Sequence, residues 1–281
     1  AYNMATYMFL APFLAPIIFK DASELKSFIY AYGLIFLGSF IAYPLGALYY
    51  GSIGDSKGRR KACTSSSFGL AIATGLMGLV PIEGFEETAW FFYLILSGFQ
   101  YFFSGGEYHS AIIFSLEHGK TTQKQGLLSG MSCLFAVLGI ISAKLLSSLS
   151  AYNFFSWRWL FMIGFITGLL SFSFKYYCKE TPDFERVQKL KREGSSYKIF
   201  LKNHSFTLIK TILVMGFFVT SYSYIFIFLP IVIPGTTESN TILAISGLLL
   251  YGILLFFSGA IADIIGVNFM MKLGALFFGL L

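Results

Sequence analysis

Charge is scarce in this chain. Of its 281 residues only 12% are Asp, Glu, Lys or Arg, while 56% are hydrophobic and 19% aromatic. A water-soluble domain carries roughly a quarter charged residues, so a globular cytosolic protein is excluded. Cysteine is rarer still. Cys63, Cys133 and Cys178 are scattered with no CxxC pair, which excludes a zinc ribbon and a disulfide-built scaffold. No metal or other cofactor is expected. Also missing are G-x-S-x-G, H-E-x-x-H and a P-loop, so the familiar hydrolase, metalloprotease and nucleotide-binding chemistries have no residues to act through. The chain is not an enzyme on this evidence. Nor does any stretch show the period-2 alternation of a membrane barrel. No charged n-region or cleavage site of a secretory signal opens it. It begins Ala1-Tyr2-Asn3 without Met and stays apolar from 269 to 281, so both ends read as cut, either from a longer protein or by natural truncation.

Long apolar runs fill the space that charge vacates. A membrane span needs roughly 20 mostly apolar residues. Runs of that kind cover about 2–19, 28–50, 62–81, 89–114, 127–149, 158–177, 206–229 and 241–261, and a ninth begins near 269. Lipid leaves backbone groups no outside partner, so these are helices. The expected fold is an all-α polytopic membrane protein. The net charge of +6 is not a nucleic-acid patch, because its bases alternate between connections. Lys57, Arg59, Arg60 and Lys61 crowd one loop, whereas 81–88 carries Glu83, Glu86 and Glu87 and no base. Lys120 and Lys124 follow in the next loop. The segment 175–210 is rich in Lys and Arg, and 231–240 again has none. Basic loops face the cytoplasm, which places the amino end and the central loop inside.

The most informative segment is 51–61, Gly-Ser-Ile-Gly-Asp-Ser-Lys-Gly-Arg-Arg-Lys. It is expected to be a tight turn between two helices that sets one acid beside several bases at the membrane surface. A second stretch, 259–268, repeats the Gly259, Asp263 and Gly266 spacing after the eighth run, with Val267-Asn268 in place of the Arg pair. Two halves are therefore expected: 1–178 with six spans, a basic linker 179–205 holding a short amphipathic helix, and 206–281 with spans seven, eight and the start of nine. Repeats of this kind relate the halves of many transporters. Within helix 4, Glu107 lies in an apolar stretch beside Gly105-Gly106, and an ionisable group inside a span is a functional candidate. It is expected to pair with the Arg59/Arg60 side. Trp157-Arg158-Trp159 reads as an interfacial anchor, Thr181-Pro182 as the start of a surface helix, and Lys144 as a side chain near the outer side that can snorkel, with a substrate role as the lesser alternative.

The spacing G-x-x-G-D-x-x-G-R-R resembles the signature loop between helices two and three of the major facilitator superfamily. Together with G-G-E-Y at 105–108, W-R at 157–158 and E-T-P-x-F at 180–184, it resembles the metabolite:proton symporter branch, proline/betaine type. The resemblance implies a complete six-helix amino-terminal half with a partial second half, in a bacterial inner membrane. It also implies secondary-active, proton-coupled uptake of a small polar or organic-acid solute, of the proline/betaine or dicarboxylate class, by alternating access. The alternative is a non-transporting truncated remnant of such a symporter. Gly51, Gly54, Asp55, Gly58, Arg59 and Arg60 would then form a conformational latch, with Asn3, Tyr7, Gln100 and Glu107 along the solute and coupling pathway. Asn3 stands where the family carries an acid, and Ser97 where it carries a base. The implied partners are the solute, protons and the lipid bilayer, with no nucleic acid, and no oligomerisation device is visible, so the chain reads as a monomer.

Overall fold

The computed structural model describes residues 1–19, 23–82, 84–119, 124–151, 154–189, 205–210 and 237–279. Among these the ordered elements are all helical: α1 (Tyr2–Ile18), α2 (Glu24–Leu37), α3 (Tyr43–Lys57), α4 (Arg59–Leu79), α5 (Glu86–His118), α6 (Gln125–Ala151), α7 (Arg158–Tyr177), α8 (Pro182–Lys189), α9 (Thr237–Ile265) and α10 (Val267–Gly279). Five described helices are long and apolar enough to cross a membrane, over Ile29–Lys57, Arg59–Leu79, Gln125–Ala151, Arg158–Tyr177 and Thr241–Ile265. The 33-residue α5 packs on α3 and α4. This is an all-α polytopic membrane protein. Most of the expected seventh span, and the linker beyond 189, lie outside the described residues.

The expected span 28–50 is not one uniform helix. Between α2 and α3 the residues Gly38–Ala42 form a turn of π-helix. Pro44, in the first turn of α3, has no N–H to return to the preceding turn. A single wide turn just before it absorbs the missing bond. Gly38 there faces Tyr101 and Ser97 of α5.

The first six spans share one buried centre. Tyr7, Leu10 and Leu14 of α1, Met77 of α4, Tyr93 and Tyr101 of α5 and Phe161 of α7 belong to one core cluster. Outward, Phe36, Phe40, Phe99, Phe135 and Leu170 stand exposed, which is the surface that acyl chains cover. A second, smaller cluster joins Val137 and Ile141 of α6 to Leu248 of α9. Arg158 is more than the interfacial anchor its flanking tryptophans suggest. Its guanidinium donates to the carbonyls of Gly78 and Val80 at 2.8 and 2.9 Å, capping the end of α4, while stacking on Trp157.

Candidate functional site

The polar side chains of the bundle lie in three separate layers. At the surface expected to be cytoplasmic, only Gly58 separates α3 from α4. Its φ of +107° is a conformation that side chains with a Cβ rarely adopt, so glycine makes a one-residue reversal possible. The expected loop is thus mostly helix, with Gly51 to Lys57 continuing α3. A Cβ on Gly58 would also strike the Glu180 carboxylate. That carboxylate accepts the Arg60 backbone N–H at 3.0 and 3.2 Å and the Thr181 N–H at 3.0 Å. An acid is thereby set at the amino end of α4, where the helix dipole favours it. The Thr181 hydroxyl, expected to cap α8, is buried without a hydrogen-bond partner among the described residues.

Arg59 pairs with Asp55 at 2.7 Å and with Glu117, in the last turns of α5, at 3.2 Å. Arg60 donates to the Cys178 carbonyl at 3.3 Å. One turn of chain therefore ties α3, α4, α5 and the end of α7. Of the three signature glycines, Gly54 lies against the Arg59 guanidinium (2.9 Å from where a Cβ would be), whereas Gly51 meets nothing within 4 Å.

The second layer is an ion pair inside the bundle. Lys175 of α7 donates to Glu107 of α5 at 2.6 Å and to the Ser67 hydroxyl of α4 at 2.8 Å. Both charged side chains are more than four-fifths buried. This corrects the expected partner of Glu107: it pairs with Lys175, because Arg59 and Arg60 are held one layer away by Glu117, Asp55 and the Cys178 carbonyl.

The third layer holds amides and rings. Gln100 of α5 donates to the Asn3 carbonyl at 3.0 Å and to the Thr74 hydroxyl at 3.1 Å. The side-chain oxygens Asn3 Oδ1 and Gln100 Oε1 are buried without a hydrogen-bond partner among the described residues. Tyr7 stacks on Tyr93, with rings 5.7 Å apart and 6° from parallel. Asn3, Tyr7 and Gln100 are thus brought into one buried seam between α1, α4 and α5. Glu107, two helical turns along α5 from Gln100, is not part of it.

A fourth arrangement links α6 to α9. The carboxylate of Asp263, at the end of α9, accepts the backbone N–H groups of Gly126 and Leu127 at 2.7 and 2.8 Å. These are orphan donors of the first turn of α6. Gly126 and Gly259 meet so closely that a Cβ on either would strike the other's carbonyl. Gly266, with φ of +93°, then joins α9 to α10 as Gly58 joins α3 to α4. The second turn keeps the geometry of the first although its arginines are gone.

A family model described as Major Facilitator Superfamily matches residues 1–281. The chain belongs to the major facilitator superfamily.

Among its relatives is the proline/betaine transporter of Escherichia coli K12, 30% identical over 69% of this chain and 41% of that protein. The glycine betaine/proline/ectoine/pipecolic acid transporter OusA of Dickeya dadantii is 30% identical over 68% of this chain and 40% of its own length. A putative proline/betaine transporter of Staphylococcus aureus is 25% identical over 97% of this chain and 60% of its own length. The chain therefore spans between two and three fifths of the curated relatives it matches. In this facilitator chain the signature loop and the acid of α5 were visible as motifs. Lys175, Glu117 and the cap made by Glu180 were not, because each acts across 58 or more residues of sequence.

Proposed function

We propose that this protein carries a small polar or organic-acid solute, of the proline/betaine or dicarboxylate class, across a bacterial inner membrane by alternating access, with protons as the driving ion. It works as a monomer, with its amino end and central linker cytoplasmic. Its first half is 1–178, a linker covers 179–205, and the second half begins at 206. The observation that carries this proposal is the Asp263 cap on α6. It is a polar contact between the two halves at one end of the α6–α9 crossing, strong enough to hold one arrangement and cheap enough to break. Charge-assisted hydrogen bonds contribute about 1.5–3 kcal/mol, comparable with the energy gap between two conformers that exchange. The signature turn around Asp55, Arg59 and Arg60 stiffens the first half, which then moves as one unit. Relatives named as proline/betaine transporters support the solute class.

Two measurements test the proposal. Uptake of labelled proline, glycine betaine and 2-oxoglutarate into proteoliposomes is expected for at least one solute, and should collapse when a protonophore removes the pH gradient. Folded protein that moves none of them would leave the non-transporting alternative. For the Asp263 contact, Asp263→Ala is expected to raise maleimide labelling of Cys133 on α6 severalfold from the cytoplasmic side, in a Cys63→Ser/Cys178→Ser background. Unchanged labelling would remove Asp263 from the gate.

A further inference from the structure

Lys144 lies inside the span formed by α6, and it does not behave as a snorkelling residue. Met131, Phe135, Leu138, Leu145 and Leu149 make the exposed, lipid-facing stripe of that helix. At about 100° of rotation per residue, Lys144 points roughly 140° away from the centre of this stripe. It falls instead on the face of Val137 and Ile141, both buried against Leu248 of α9. Its ammonium sits 5.1 Å from the ring centroid of Phe9 on α1. Phe9 is nine residues short of the end of α1 and Lys144 seven short of the end of α6, which sets both about 10 Å or more below those helix ends. The cation is therefore turned inward, to the junction of α1, α6 and α9, where the two halves meet.

The ammonium has no carboxylate within ion-pair distance among the described residues, and it stands over the Phe9 ring. A ring face offsets only part of what an ammonium loses on leaving water. Lys175, a second cation inside the bundle, is neutralised by Glu107, whereas Lys144 has no acidic partner among the described residues. Yet Lys144 is partly accessible rather than sealed in the core. An ionisable group at such a depth marks a solute or ion path by default.

We infer that Lys144 receives the carboxylate of the transported solute. This rests on the transport function proposed above. A lipid phosphate would demand a place on the exposed stripe of α6 or at the helix end, and Lys144 occupies neither. A carboxylate entering between the halves meets a cation there that has no acidic partner among the described residues. The rest of the solute is left to the apolar and aromatic walls of α1 and α9.

The intact protein, purified in nanodiscs and reconstituted in liposomes, provides the test. Binding and uptake are measured for proline and glycine betaine, and for their carboxylate-free counterparts prolinamide and choline. Lys144→Gln is expected to weaken carboxylate binding on the order of tenfold or more, seen as a raised KM with protein yield and melting unchanged. Lys144→Arg should keep most of the affinity, and choline and prolinamide should not respond to either substitution. Equal carboxylate affinity in wild type and Lys144→Gln overturns the inference while leaving transport in place. So does a wild type that moves choline but no carboxylate. Absence of flux for every solute overturns both the inference and the transport function beneath it.

Discussion

Replacing Glu107 with glutamine is expected to lower the melting temperature of the detergent-solubilised protein by on the order of 10 °C. Glu107, Lys175 and Ser67 belong to three different helices and meet through contacts of 2.6 and 2.8 Å. With both charges more than four-fifths buried, removing one strands the other. Breaking a buried pair in this way costs about 3–5 kcal/mol, and each kcal/mol is worth roughly 2–4 °C in a protein of this size. The cost comes from the uncompensated lysine, not from the loss of attraction alone. The double substitution Glu107→Gln/Lys175→Met removes that lysine and should recover most of the loss. Thermal melts of the single and double variants decide the matter: a single variant within 2 °C of wild type would mean that water reaches the pair. A double variant as unstable as the single would mean that shape, not charge, matters there.

A comparable loss is expected from a single methyl group. A Cβ on Gly46 would land on the Phe102 carbonyl, and one on Gly105 would land on the Tyr43 carbonyl. Helices α3 and α5 thus touch backbone to backbone at two reciprocal points, the close approach that small residues allow in membranes. Overpacking costs about 1–3 kcal/mol when side chains can shift. Here the obstacle is main chain on both sides, so Gly46→Ala and Gly105→Ala should each reach or exceed the top of that range. Size-exclusion profiles should show most of either variant aggregated. Gly51→Ala is the matched control: the space around Gly51 is open and alanine favours a helix, so it should elute and melt like wild type. A monodisperse Gly46→Ala would show that the two helices can separate without loss.

Much of this architecture is legible in the sequence because lipid imposes one rule on every span. The apolar runs place α4, α6, α7 and α9 to within a few residues, and the paired Gly–Asp–Gly spacings announce two equivalent turns, at Gly58 and Gly266. What a linear reading misses follows from distance and degeneracy. Glu107 has several bases within plausible reach, and only packing shows that Arg59 is already engaged by Asp55 and Glu117. Lys175 sits at an aromatic helix end, in the pattern of an interfacial residue, yet its ammonium turns back to a carboxylate 68 residues earlier. Arg158 hides in the same way between two tryptophans. In each case the residue type was visible, but the partner was set by tertiary contact alone.

The one-residue joint at Gly58 phase-locks its two helices. A single inserted residue would either lengthen α3 or start α4 one step late, turning one helix about 100° against the other. Arg59 would swing off Glu117, and the first helical N–H groups of α4 would leave Glu180. Connections elsewhere in membrane proteins absorb tags and insertions because their length is slack. This one has no slack, so the pair α3–α4 is joined as a single folded strut, and a displacement of its Gly58 end is shared by both helices.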